Sequence, residues 1–282
     1  MSTVTAEHSA AAAVPAPAAG AGPARGKVTQ LRVIKSEWIK MRTLRSTPIT
    51  LIVAVVAMVG LGILTCYLRA SHPDRHGVVE HINGAEASLA MYRLAQLAVG
   101  VLGVLIISGE YSTGMIRASL SAVPKRLPVL WAKAIVYTVV LLVLMTVAAL
   151  AAFYGGQAVL KGYNLSVSMS DPGVARVVFG TALYLTGVGL LGIGFGALIR
   201  NSAGAIAALF GVLLILPELA DLLPSSWDPN VIPYLPSNAG QAVLSVVPDP
   251  TMMQPWNGLA LFVGYALALL AVAAVLLKRR DA

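Results

Sequence analysis

The chain has 282 residues, of which 57% are hydrophobic and 11% are charged, and its mean hydropathy is +0.80. This composition is far more apolar than that of a soluble globular domain, so it excludes one. A net charge of +8 would suggest nucleic acid binding in a soluble protein. Here the cations flank long apolar segments, which is typical of membrane topology, and no nucleic acid partner is expected. The single cysteine, Cys66, excludes an intramolecular disulfide.

The chain begins with two segments that precede any membrane span. Residues 1–26 are rich in Ala, Gly and Pro and have few large apolar side chains, which predicts a disordered cytoplasmic tail. In residues 27–46, Leu31, Ile34, Trp38 and Met41 lie at helical spacing among many cations. This pattern predicts an amphipathic helix at the membrane interface. The alternative is a helical extension of the first span.

Six long apolar stretches follow, and each is close to the roughly 20 residues that a helix needs to cross a bilayer. They predict spans at about 47–68, 88–109, 130–153, 174–198, 203–222 and 257–277. The stretches are continuously apolar, whereas strands of an outer-membrane barrel alternate apolar and polar residues. The sequence therefore predicts an all-α, multi-pass membrane domain over residues 47–282.

The distribution of cations predicts the orientation of this domain. Fifteen Lys and Arg residues flank the predicted spans on one side of the membrane and five on the other. By the positive-inside rule the side with fifteen is cytoplasmic. Both termini are therefore expected in the cytoplasm.

The predicted fourth span is rich in glycine. Gly187, Gly189 and Gly192 match the spacing of a dinucleotide-binding loop, but such a loop follows a strand and faces water. Gly192 and Gly196 instead form a small-xxx-small pattern, which lets two helix backbones approach closely. We therefore predict tight packing of this span against another helix.

Motifs for catalysis and metal binding give little support to an enzyme. The patterns H-E-x-x-H and G-x-S-x-G and a membrane-embedded Asp pair are missing from the sequence. The first outer loop contains several residues of metal-binding type, but their spacing fits no recognised site, namely His72, Asp74, His76, Glu80 and His81. We expect no catalytic residue, metal or cofactor in this chain.

Within the predicted spans, Arg93 and Glu218 are charged and lie near the outer ends of spans two and five. Their opposite charges suggest an ion pair that links these two spans. The alternative is that each side chain reaches the interface independently. An ion-driven transporter needs more ionisable groups inside the membrane, so an external energy source is expected.

The segment GEYSTGMIRASLSAVPKRLP follows the second predicted span. Gly114 and Pro124 bracket a stretch in which Ile116 and Leu120 lie one helical turn apart. This spacing predicts a short cytoplasmic helix.

This segment, the basic SEWIKMRTLRSTP before the first span and the terminal LLKRRDA resemble the type-2 membrane-spanning family of ABC exporters. In that family the segment after span two reads as an acidic residue, an aromatic residue, two variable residues and then Gly-Thr-Ile-Arg. The residues that match are Glu110, Tyr111, Gly114, Ile116 and Arg117. Met115 occupies the position where the family has Thr.

The resemblance implies a permease subunit in a bacterial cytoplasmic membrane. The segment after span two would be a coupling helix that docks on a separate ABC ATP-binding subunit, and residues 27–46 would be the connecting helix. ATP hydrolysis would belong to that partner. Two permease subunits, either identical or paired with a second type, would form an export path lined by spans one, two and five for a substrate that the sequence leaves open. The alternative is a non-transporting membrane scaffold or immunity protein with the same helical fold.

Overall fold

The computed structural model describes residues 29–71, 83–112, 114, 127–220, 222 and 228–279. These residues form helices, turns and irregular segments, and no strand occurs among them. Six helical segments are long and apolar enough to cross a membrane. The predicted all-α fold with six spans is therefore confirmed.

The helices are numbered α1 to α10 in chain order. The chain starts with α1, Gln30–Thr43, and the first span, α2, Ser46–Ser71. Short α3, Gly84–Leu89, and α4, Tyr92–Ser112, together form the second spanning segment. The remaining bounds are α5 Leu127–Lys161, α6 Val174–Ile199, α7 Ser202–Ala220, α8 Asp228–Val231, α9 Pro236–Gln241 and α10 Pro255–Arg279.

The centre of the bundle is α6, which contacts α4, α5, α7 and α10. In its most apolar stretch 67% of the residues are buried, compared with 28% in α2 and 22% in α7. A helix buried on most sides needs small residues to admit its neighbours. The high glycine content of α6 follows from this central position.

The crossing of α4 and α6 is close-packed through glycines on both helices. A Cβ atom on Gly192 would collide with the carbonyl oxygen of Gly100, and one on Gly103 with that of Gly189. A Cβ atom on Gly196 would lie 2.7 Å from the carbonyl oxygen of Val104. The tight packing predicted from Gly192 and Gly196 is confirmed, and its partner is α4.

The two residues between α6 and α7, Arg200 and Asn201, end one helix and begin the next. Arg200 ends α6 in the left-handed conformation, with φ of 59°, and Asn201 caps α7 by accepting a hydrogen bond from the backbone N–H of Gly204 at 2.9 Å. Two residues therefore suffice to reverse the chain. Within α7, residues Gly211–Ile215 form a π-helical turn shortly before Pro217, which has no N–H to continue the α-helical ladder.

The segment that precedes α10 is anchored to two spans. The Arg176 guanidinium on α6 donates to the backbone carbonyls of Ser245 and Val246 at 2.9 and 2.8 Å. The Val246 N–H donates to the carboxylate of Glu86 on α3. Two charged side chains thus fix this segment on the end of the bundle opposite to α1.

Candidate functional site

The carboxyl-terminal end of α4 is the meeting point of three other elements. Glu110 contacts α1 and α5 through ion pairs, and Ser108 and Tyr111 contact the junction of α6 and α7. These residues directly precede the segment 113–126, in which the sequence predicts a short helix and the family resemblance implies a coupling helix. We therefore treat this end of α4 as the candidate functional site.

Four charged side chains from three helices form what we call the charge cluster: Glu37 and Lys40 of α1, Glu110 of α4 and Lys133 of α5. The Lys133 ammonium donates to Glu37 Oε2 at 2.6 Å and to Glu110 Oε1 at 2.7 Å. The Lys40 ammonium donates to Glu37 Oε1 at 2.9 Å and to Glu110 Oε1 at 3.0 Å. Carboxylates and ammonium groups therefore alternate around a closed ring.

Three members of the charge cluster are buried, Glu37, Glu110 and Lys133, and Lys40 is partly exposed. The Lys133 side chain is 4% exposed and the Lys40 side chain 28% exposed. Burial acts to lower the pKa of Lys40, but the hydrogen bonds and negative charges of Glu37 and Glu110 outweigh it, so the pKa is raised and the ammonium stays charged. Glu110 Oε2 is also buried and accepts no hydrogen bond in the described part of the chain.

The position of Glu37 in α1 differs from the simple amphipathic pattern. The buried residues of this helix are Val33, Glu37 and Met41, which are spaced four apart and share one face. Of the predicted apolar face, Leu31 and Trp38 are exposed. The buried face is turned towards α5 because Glu37 meets Lys133 there and Val33 packs against Val129 and Ala132.

Two further contacts fix the junction of α6 and α7 to this end of α4. The Arg200 guanidinium lies over the Tyr111 ring, 5.1 Å from its centroid. The Ser108 and Ser202 hydroxyl groups are 2.8 Å apart. Tyr111, which the sequence resemblance singled out, thus contacts the short turn between two spans.

Gly114 marks where the chain leaves α4. Its φ is +71°, in the left-handed region that favours glycine, and its N–H donates to the Tyr111 carbonyl at 3.3 Å. A glycine at this position is therefore required by the backbone. Ile116, Arg117 and the predicted short helix lie outside the described residues, so their roles stay predictions.

Arg93 and Glu218 line one cavity of about 510 Å³ at the opposite end of the bundle. The cavity lies between α4, α7 and the segment from α9 to Met253. The ion pairs within the described part of the chain do not include one between these two residues. The predicted link between spans two and five stays a prediction, and the shared cavity is what supports it.

Exchanging these two charges tests the predicted pair. We expect Arg93→Glu and Glu218→Arg each to lower the thermal unfolding temperature of the purified protein, and the double exchange to recover at least half of the loss. Arg176 provides a contrast, because its partners are backbone carbonyls and no carboxylate exchange can rescue its loss. Additive losses in the double variant would show that the two side chains act independently.

The residues of metal-binding type in the first outer loop lie outside the described residues. Within the described ranges no group of three or more His, Cys, Asp or Glu side chains is placed to hold a metal ion. The described Cys66 thiol is buried beside the Ser88 hydroxyl at 3.4 Å.

Sequence reasoning found Glu110 but not its partners. Lys40 and Lys133 counted only as cations that set the topology, and Glu37 carried no assigned role. One signal was available: Glu37 is the single acidic residue in the basic segment 27–46, and it shares a helical face with Val33 and Met41. An acidic residue on a buried helical face indicates a buried cationic partner.

A known protein family matches most of the chain. A family model described as ABC-2 family transporter protein matches residues 33–214, which is more than half of the 282 residues. The match begins within α1 and ends within α7, so it includes all four residues of the charge cluster. No curated protein matches the chain.

Proposed function

Because the chain belongs to the ABC-2 family of transporter proteins, we propose that it is the permease subunit of an ATP-driven exporter that couples to a separate ATP-binding subunit. The family assignment makes it a membrane component of a permease-type ABC transporter and not the ATPase itself. The family match carries the proposal. Co-purification tests the coupling to a partner subunit, and cysteine labelling tests the orientation in the membrane that export requires.

The arrangement at the end of α4 supports a docking role for residues 113–126. This segment begins directly after α4 ends at Ser112, includes Gly114, and ends before Leu127, where α5 starts. Both flanking helices are tied into the charge cluster, through Glu110 and Lys133. A partner that pushes on the segment would therefore act on packed helices, which can move as rigid bodies.

Co-purification with an ATP-binding subunit tests the proposal. The chain is co-expressed with a candidate ABC ATPase encoded beside it, and the complex is purified through the permease. We expect Gly114→Ala to weaken the complex about tenfold, because a left-handed alanine costs roughly 1–2 kcal/mol. Gly109→Ala is the matched control, since that glycine is also near the end of α4 and a Cβ there meets nothing within 4 Å.

Three results would count against the proposal. Failure of every candidate ABC ATPase to co-purify with the unaltered chain would contradict it, and would favour a scaffold or immunity protein. Equal weakening by the two glycine variants would show that docking does not depend on the start of segment 113–126. Arg117→Ala is expected to lower the ATPase stimulation by the permease, and unchanged stimulation would remove Arg117 from the coupling segment.

Export from the cytoplasm requires that α1 and segment 113–126 face the cytoplasm, as the distribution of cations predicts. Single cysteines at two exposed positions test this orientation in a Cys66→Ser background, namely Tyr163 between α5 and α6 and Arg279 at the end of α10. We expect a membrane-impermeant maleimide to label position 163 in intact cells and position 279 only after the membrane is opened. Labelling of both from the same side would overturn the orientation.

The working unit that we propose contains two permease subunits and two ATP-binding subunits. Large apolar side chains of α7 are exposed in the single chain, including Ile215 at 57% and Leu219 at 54%. This surface suits either lipid or a second permease subunit.

A further inference from the structure

The cavity of about 510 Å³ between α4, α7 and the segment from α9 to Met253 presents charges of both signs. Arg93 of α4 and Glu218 of α7 line it, and neither forms an ion pair with any residue that the structure describes. Asp249 also lines the cavity, but its carboxylate already accepts hydrogen bonds from the N–H and the hydroxyl of Thr251, at 2.8 and 2.7 Å. Arg93 and Glu218 can therefore each receive a charged group of opposite sign.

A buried amide adds a neutral hydrogen-bond donor to this cavity. Gln96 lines it, is 2% exposed, and lies one helical turn from Arg93 on the same face of α4. Its Oε1 accepts a hydrogen bond from the Tyr184 hydroxyl at 2.8 Å, whereas its Nε2 donates to no residue in the described ranges. An unpaired buried N–H group costs free energy, so the occupant of the cavity must supply an acceptor. An anionic group bound to Arg93 would supply one within reach of Gln96.

The apolar wall of the cavity continues onto the surface of α7. Leu213 and Leu214 line the cavity within the π-helical turn, and turns of this kind are frequent at functional sites. Leu214 is 38% exposed and the adjacent Ile215 is 57% exposed, so the cavity opens towards the region that acyl chains occupy beside the span. The charged side chains lie near the ends of their helices, at the depth of the lipid headgroups. The cavity thus has a polar part at headgroup depth and an apolar part beside it.

We propose that this cavity binds the zwitterionic headgroup of an aminophospholipid from the leaflet opposite to α1, with the phosphate on Arg93 and Gln96 and the primary ammonium on Glu218. A guanidinium group binds phosphate through two parallel hydrogen bonds, and a primary ammonium has three N–H groups to donate to a carboxylate. The bound headgroup links spans two and five through both of its charges. Its binding does not depend on the proposed ATP-binding subunit, because the permease supplies all three side chains.

Three lipids with the same acyl chains test this site. Phosphatidylethanolamine carries both charges, phosphatidylcholine has an ammonium without N–H groups, and phosphatidylglycerol has no cation. The chain is purified in detergent, freed of co-purified lipid and titrated with each lipid, and native mass spectrometry measures the fraction of protein with lipid bound. We expect phosphatidylethanolamine to bind about tenfold more tightly than the other two, because each of them lacks the charged hydrogen bond to Glu218.

Two variants assign the two halves of the headgroup. Arg93→Gln is expected to weaken phosphatidylethanolamine and phosphatidylcholine alike, by about tenfold, because both carry the phosphate. Glu218→Gln is expected to lower the affinity for phosphatidylethanolamine to that for phosphatidylcholine and to leave the latter nearly unchanged. Lys161→Gln and Asp171→Asn are the matched controls, since both residues are exposed at the same end of the bundle and do not line the cavity. They should keep both the affinity and the preference.

Soluble phosphoethanolamine distinguishes a lipid site from a site for free zwitterions. We expect it to displace phosphatidylethanolamine only at far higher concentrations, because it cannot use the apolar surface of α7. Displacement at equal concentration would overturn the assignment to a lipid.

The lipid comparison can contradict the proposal in three further ways. Equal binding of the three lipids by the unaltered chain would overturn it, and tightest binding of phosphatidylglycerol would do the same by indicating a site for anions alone. A preference for phosphatidylethanolamine that persists in Glu218→Gln would also overturn it. Arg93→Gln and Glu218→Gln are measured separately, so if one does not fold, the other still locates the site. Failure of every ATPase to co-purify would leave these results unaffected, because they are measured on the permease alone.

Discussion

Replacement of Lys133 by methionine is expected to lower the free energy of unfolding by about 3–5 kcal/mol, because it breaks a buried ion-paired network from one side. Methionine has a similar length but leaves Glu37 and Glu110 sharing the single ammonium of Lys40. Thermal unfolding of the purified protein in detergent measures the effect. We expect Glu37→Gln, added to this variant, to recover most of the stability, since it removes the stranded carboxylate.

Lys35→Met is the matched control for this prediction. Lys35 lies on the same helix as Glu37 but is exposed, so the loss of its charge should change the unfolding temperature little. Equal effects of the two lysine variants would contradict the buried network. An additional loss on adding Glu37→Gln would contradict the assignment of Glu37 as the partner of Lys133.

The second large effect is expected at the crossing of α4 and α6. In Gly192→Ala the new Cβ atom meets the carbonyl oxygen of Gly100, which belongs to a helix backbone and has no freedom to rotate away. The two helices must separate along their length, and we expect a loss of about 1–3 kcal/mol. Gly192→Leu is expected to reduce the yield of folded protein further.

Gly264→Ala in α10 distinguishes this steric effect from the general effect of replacing a helical glycine. A Cβ atom at Gly264 meets nothing within 4 Å, and alanine favours the helix by roughly 0.5–1 kcal/mol. We therefore expect no loss of stability there. Similar losses for Gly192→Ala and Gly264→Ala, seen by size-exclusion chromatography after heating, would show that the close crossing is not what matters.

The sequence was sufficient to predict the fold class because the membrane imposes it. A chain that crosses a bilayer must satisfy its backbone hydrogen bonds within each span, and a run of about 20 apolar residues leaves the helix as the solution. The glycine spacing in α6 also predicted close packing, since only small residues permit it. The glycine spacing did not predict that α4 is the partner helix, because the sequence around a glycine does not show which glycines of two helices will face each other.

The candidate site was less predictable, for a physical reason. Glu110 and Tyr111 were found through a family resemblance, whereas the ion pair of Glu37 with Lys133 joins residues 96 positions apart. Whether two such charges meet depends on how α1 packs on α5, and that packing is set by Val33, Val129 and Ala132 together. Charge counting treats every lysine near a span as equal, so it could not separate the buried Lys133 from the exposed Lys35.

The close pairing of α4 with α6 has a consequence for the insertion of the protein into the membrane. Of the six spans, the second and the fourth have the lowest mean hydropathy, partly because glycine replaces larger apolar residues in both. A segment of lower hydropathy partitions less readily into lipid by itself. The glycines that weaken each span as an isolated segment are the ones that let the two spans contact each other. Contact between these two spans therefore stabilises both of them in the bilayer. The third span lies between them in the chain, so it must be inserted before that contact can form.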